Sequence, residues 1–318
     1  MTGQPHRVAI FGATGTAGRA TAEALVAAGF DMLSLGRRDP EIAGVAHEAT
    51  ALQDANALAQ VFTRHGVEAV VSCLASRTGL PADAWLIDHD MNQRVLAAAE
   101  AADVRQFVLL SAICVQKPHL AFQQAKLAFE ATLIASEMTH SIVRPTAFFK
   151  SLSGQVDRLR AGKPFLIFGD GSLTACKPIS DSDLGRYMAG CLTDPDKHNQ
   201  ILPIGGPGPA MTAKEIGLAL FEALDLPPQF RPVPPTLLRT IAGGLGLAGK
   251  VVPRLAEKAS LARIGHYYAT ESMLVWDAAR GFYDADATPE FGTDTLPEFF
   301  HQLARGEAAV ARGDHAVF

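Results

Sequence analysis

Gly12-Ala13-Thr14-Gly15-Thr16-Ala17-Gly18 follows the apolar run at 8–11 and opens an alanine-rich stretch that closes at Gly29. Residues 7–12 therefore read as a buried strand and 18–29 as a helix. Glycines at spacing three and three let the turn between them close tightly and let backbone N–H groups approach a pyrophosphate. The phosphate charge then rests on the positive end of the helix. Gly12, Thr14, Gly15, Thr16, Ala17 and Gly18 accordingly read as a dinucleotide cradle. A glycine triplet alone also makes a plain structural turn; its place between an amino-terminal strand and a helix favours the nucleotide.

Outward from this turn, strand-like runs recur at 31–36, 67–74, 106–112 and 140–144, with helical patterns near 54–64, 84–102 and 121–137 between them. Strands apolar on both faces and alternating with helices predict an α/β fold, a doubly wound parallel sheet of the Rossmann kind. After Pro145 the rhythm changes. Strand candidates at 164–168 and 200–204 mix with helices near 181–192, 212–224 and 252–265, and Pro and Gly cluster at 203–209 and 227–235. The division expected is a nucleotide-binding domain over 1–150 and a smaller substrate-side lobe over 151–318, partly woven back onto the first. Residues 306–318 are expected to fray.

Of 318 residues, 48% are apolar and 19% charged, which excludes global disorder. A net charge of −5 gives no basic field to gather phosphate backbones, so nucleic acid is excluded as a partner. Cys73, Cys114, Cys176 and Cys191 lie far apart with no Cys-x-x-Cys pair, which fits a reducing, cytoplasmic setting and argues against a thiolate metal site. No metal ligands are assigned. The first apolar run is too short for a signal-peptide core. Residues 240–249 are uncharged, but ten residues cannot cross a bilayer. A buried or mobile glycine-rich connection is favoured there over a lip that touches a membrane.

The second strand selects the nucleotide. Residues 31–38 run Asp-Met-Leu-Ser-Leu-Gly-Arg-Arg, with no carboxylate at the end to hold the adenosine ribose of NAD. Arg37 and Arg38 instead offer planar forks of donors to the 2′-phosphate of NADP.

The order of these features resembles the extended and atypical short-chain dehydrogenase/reductases. The resemblance continues through Asp88, Asn92, the helix at 95–102 and the strand at 106–112 that carries Ser111. It implies that a Tyr-x-x-x-Lys should follow, the tyrosine moving a proton at a carbonyl and the lysine holding the nicotinamide ribose. This chain has Phe122-Gln123-Gln124-Ala125-Lys126. The lysine is kept and the acid is lost. Ser111 is open between a site residue and a strand-end hydrogen bonder.

Longer strings narrow the family. They are Val-Leu-Leu-Ser-Ala-Ile-Cys-Val-Gln-Lys-Pro at 108–118, Ile-Val-Arg-Pro-Thr-Ala-Phe-Phe-Lys at 142–150, and Ala-Cys-Lys-Pro-Ile-Ser at 175–180. Leu-Pro-Ile-Gly-Gly-Pro-Gly at 202–208 and Tyr-Ala-Thr-Glu-Ser-Met-Leu-Val-Trp-Asp at 268–277 add to them. Together they resemble the NADPH-dependent 3,8-divinyl chlorophyllide a 8-vinyl reductases of chlorophyll and bacteriochlorophyll synthesis. The resemblance implies NADPH as cofactor and a magnesium chlorin, divinyl chlorophyllide, as substrate, its C8 vinyl group being reduced to ethyl. Such chemistry fits the missing tyrosine: hydride adds to the terminal vinyl carbon, the macrocycle delocalises the charge, and no carbonyl oxygen needs a proton. The inner vinyl carbon still takes one, from Lys126, Lys177, Tyr268, Cys114 or water.

By the same resemblance Pro145 and Phe148 lie where nicotinamide and substrate meet, and Lys150 and Lys177 are candidates for the substrate carboxylate. His266 is read as a surface or capping residue rather than a magnesium ligand, and Trp276 and Tyr283 as packing. A pigment of this kind leaves room for peripheral contact with a photosynthetic membrane; oligomeric state stays open. The competing readings are a non-catalytic NADP(H)-binding regulator or assembly factor, and an isoflavone-reductase-like enzyme acting on another conjugated alkene.

Overall fold

The computed structural model describes residues 5–248 and 252–308, which divide into two compact units. The first comprises the described residues up to Ser76 together with Pro81–Pro145 and Asp181–Ile204; the second comprises Arg77–Leu80, Thr146–Ser180 and the described residues from Gly205 onward. Residues 181–204, beyond the expected domain boundary at 150, thus belong with the nucleotide-binding unit.

In the first unit β1 (Arg7–Phe11) leads through the glycine turn into α1 (Thr16–Ala27), then β2 (Asp31–Gly36), β3 (Val45–Ala49), α2 (Ala55–His65) and β4 (Ala69–Ser72). After a π-helical stretch, Trp85–Met91, come α3 (Asn92–Ala101), β5 (Gln106–Leu110), α4 (Ala121–Ala135), β6 (Thr139–Pro145), α5 (Asp181–Gly190) and β7 (Gln200–Ile204). The seven strands form one parallel sheet in the order β3-β2-β1-β4-β5-β6-β7. Val8, Ala9, Ile10, Phe11, Val70 and Val71 are wholly buried, as strands covered on both faces require. Asp54 caps α2 by accepting from the N–H groups of Asn56 (2.9 Å) and Ala57 (3.1 Å), and Gly66 closes it at φ +61°. Gly185 explains why α5 returns to this unit: a Cβ there would stand 2.5 Å from the Ala20 carbonyl oxygen, so only glycine lets α5 lie against α1.

The second unit is less regular. Phe165–Phe168 pairs in parallel with Phe230–Val233, while Ala175–Cys176 with Met211–Thr212 and Val275–Asp277 with Phe282–Asp284 are antiparallel. Its helices include α6 (Ala213–Ala223), α7 (Pro235–Ala248), α8 (Pro253–Thr270) and α9 (Leu296–Arg305). Phe149, Leu159, Phe165, Leu220 and Phe300 share its core.

Three expectations are corrected. The strand at 67–74 is only Ala69–Ser72, and the single helix at 84–102 is a π-helical stretch followed by α3. The glycine-rich connection at 240–249 is helical as far as Ala248, held by packing on α8 rather than by propensity; residue 249 lies outside the described residues. Of the tail at 306–318, only 306–308 are described, Gly306 ending α9 at φ +74°.

Candidate functional site

The glycine turn is built for close backbone approach. Gly12 sits at φ +79°, and a Cβ on it would lie 2.5 Å from the Cys73 carbonyl oxygen at the end of β4. A Cβ on Gly18 would run into the Gly12 carbonyl, so the first turn of α1 folds directly over the loop. Gly15 caps α1 with no side-chain hydrogen bond, and the first turn contains no acid, so the helix's positive end is left un-neutralised by the chain. That is a cradle a pyrophosphate fits.

Arg37 and Arg38 follow β2 and are exposed, with no hydrogen bond or ion pair to other described residues. Arg19, which the sequence did not single out, donates to the Pro40 carbonyl and so ties α1 to the loop that carries both arginines.

Lys126 on α4 lies 2.9 Å from the Asp88 carboxylate, with 11% and 0% of the two side chains exposed. Asp88 belongs to the π-helical stretch, a rare geometry found at functional sites. Its carboxylate also accepts from the Ser76 N–H at 3.3 Å. Asn92 donates to the Asp88 carbonyl (3.2 Å) and accepts from the Ser72 hydroxyl (2.6 Å), which anchors the stretch to the end of β4. Phe122, one helical turn before Lys126, is buried.

Ser111 lies just past β5 and donates to Glu130; its N–H donates to the Val143 carbonyl at 2.7 Å. Glu130 is 2% exposed and also accepts from Arg144 through both Nε (3.2 Å) and a terminal nitrogen. Sequence reasoning missed Glu130. The available signal was that Lys126 and Glu130 are the only charges on α4, at i and i+4; in the structure each pairs with another element, Lys126 with the buried Asp88 and Glu130 with the half-buried Arg144.

In the second unit Lys177 is buried, and its ammonium donates to Glu290 and, at 3.2 Å, to the Thr288 carbonyl. Glu290 also accepts from the Gly208 N–H at 3.1 Å, which pins the glycine loop after β7. Phe148 bridges to Ile179 and is half-buried, whereas Phe149 belongs to the core against Phe299 at 5.4 Å between ring centres. Tyr268 on α8 is 37% exposed and stands edge-on to the buried Tyr267. Tyr283 donates to Glu271 at 2.7 Å and packs on Trp276 at 4.9 Å. Within the units, then, Lys126 and Phe122 share a helix with the partner of Ser111, while Lys177 and Tyr268 lie in the second unit on separate elements. Burial pushes the thiols of Cys176 and Cys191 up to about 12, so both stay protonated, small apolar groups.

Residues 12–195 match a family described as NAD(P)H-binding. The chain is 43% identical to the chloroplastic divinyl chlorophyllide a 8-vinyl-reductase of Arabidopsis thaliana, over 94% of this chain and 76% of that protein. It is also 43% identical to the Zea mays protein of the same name, over 99% and 86%. Among solved structures, an NADPH-dependent quinone oxidoreductase from Escherichia coli, complexed with NADPH, shares the fold with a TM-score of 0.66 at 17% identity, over 93% of this chain and 99% of that one.

Proposed function

The chain belongs to the divinyl chlorophyllide a 8-vinyl-reductase family, and on that footing we propose that it uses NADPH to reduce the C8 vinyl group of divinyl chlorophyllide a to ethyl, in bacteriochlorophyll as in chlorophyll synthesis. The observation that carries the chemistry is Phe122, an apolar ring one turn before Lys126 where an acid would serve carbonyl reduction. NADPH supplies the hydride.

The chain's own residues bind and orient. Gly12, Thr14, Gly15, Thr16, Ala17 and Gly18 receive the pyrophosphate, and Arg37 and Arg38 receive the 2′-phosphate. Lys126, its ammonium steadied by Asp88, positions the nicotinamide ribose, with Pro145 and Phe148 lining the nicotinamide side. Ser111 serves its strand end through Glu130. Lys177 orders the 205–208 loop through Glu290, and the inner vinyl carbon takes its proton from a solvent-exchangeable group. A magnesium chlorin partitions into lipid, so this reading includes peripheral contact with the membrane that carries the pigment. A reducing, cytoplasmic setting fits four free thiols.

Mixing the protein with NADPH and divinyl chlorophyllide should shift the Soret band to the blue and yield a product heavier by two hydrogens. NADPH bound but never oxidised in that mixture would make the chain a non-catalytic sensor instead.

Arg37→Ala should weaken NADPH binding by about 1.5–3 kcal/mol, the range for a hydrogen bond to a charged group, and leave NADH almost unchanged. Fluorescence titration with both cofactors checks it. Equal loss for the two would move the assignment to Arg38.

A further inference from the structure

Resting on that reading of peripheral membrane contact, we propose that the helical hairpin α7–α8 is the surface that docks on an anionic lipid bilayer. The two helices pack on each other, with the Arg263 guanidinium lying 3.1 Å from where a Cβ on Gly246 would stand. Ala242, Ala259, Ile264 and Tyr267 are buried. The opposite faces also expose apolar side chains. Leu237 and Ile241, one turn apart on α7, are 47% and 40% exposed, and Val252, Leu261 and Tyr268 are 44%, 37% and 37% exposed. Residues 237–268 thus hold five of the twelve large apolar side chains exposed among the described residues, while the other seven are spread over the rest of the chain. Concentration of this kind marks an interaction surface.

Charge decides what covers it. Residues 231–270 contain six Lys or Arg and a single acid, Glu257, in a chain whose net charge is −5. Arg239, Arg254, Lys258 and Arg263 are exposed. On α8, Arg254, Lys258, Leu261 and Tyr268 recur at 0, 4, 7 and 14, one stripe of two cations followed by two apolar groups. Basic side chains beside apolar ones suit the headgroup boundary: apolar tips enter it while the cations meet anionic phosphates. A second copy fits poorly, because a two-fold pairing would set two basic surfaces against each other. No helix of the described residues is long and apolar enough to cross a membrane, so the contact lies along the surface.

The test is flotation of the full chain with vesicles of phosphatidylcholine alone or mixed with phosphatidylglycerol. Partitioning should need phosphatidylglycerol and fall as salt rises, since each cation near an anionic surface contributes about fivefold. The double variants Arg254→Glu/Lys258→Glu and Leu237→Ser/Ile241→Ser should each lose about tenfold or more, with NADPH affinity unchanged as the check on folding. Equal partitioning to both vesicle types, or indifference to both double variants, would overturn the proposal. So would absent binding to phosphatidylglycerol vesicles, and a dimer in sedimentation would then make this face a contact between copies.

Discussion

Lys126→Met should lower the unfolding free energy by about 3–5 kcal/mol, because it removes one partner of a buried ion pair and leaves the other enclosed and charged. The stranded group is Asp88, whose side chain is fully buried and whose carboxylate otherwise accepts from the Ser76 N–H. The same change should weaken NADPH binding and slow turnover, since on the proposed role of Lys126 the nicotinamide ribose would lose its ammonium. Stability and function are separable in the double variant Lys126→Met/Asp88→Asn. Asparagine can still accept from Ser76 but carries no charge, so most of the stability should return while cofactor affinity stays low. Urea unfolding and NADPH titration of the three proteins check this. Normal cofactor affinity with abolished turnover in Lys126→Met would instead make Lys126 the proton donor.

Glu130→Ala should lose somewhat less, about 2–4 kcal/mol, as it strips the half-buried Arg144 guanidinium of its carboxylate. The Ser111 hydroxyl loses its acceptor in the same step. Ser111→Ala is the milder companion. It should cost about 1–3 kcal/mol in unfolding and leave turnover nearly intact, because a vinyl group offers no carbonyl oxygen for that hydroxyl to hold. Turnover lost at unchanged stability would place Ser111 against the reacting atoms.

Legibility in the sequence followed how local each feature is. The turn Gly12–Gly18, the buried strands beside it and the lysine of α4 are set by neighbours a few residues away, and each could be read directly. β3 could not, because Val-Ala-His-Glu-Ala on a sheet edge is half-exposed and lacks an apolar alternation. The π-helical stretch also escaped, since one wide turn inside a helical pattern leaves no period of its own. α7 was concealed by glycines that propensity counts against a helix and packing on α8 overrides. The ionic partners were least legible. Asp88 is far in sequence from Lys126, and Glu290 is 113 residues from Lys177, so only the folded chain pairs them.

Phe122 carries the central claim, that this site reduces an activated vinyl group without an acid at the tyrosine position. The most direct measurement uses NADPH deuterated at the transferred position in ordinary water, and unlabelled NADPH in heavy water. The account predicts deuterium from the cofactor on the methyl carbon of the new ethyl group, and deuterium from solvent on the methylene. Cofactor deuterium on the methylene would contradict it.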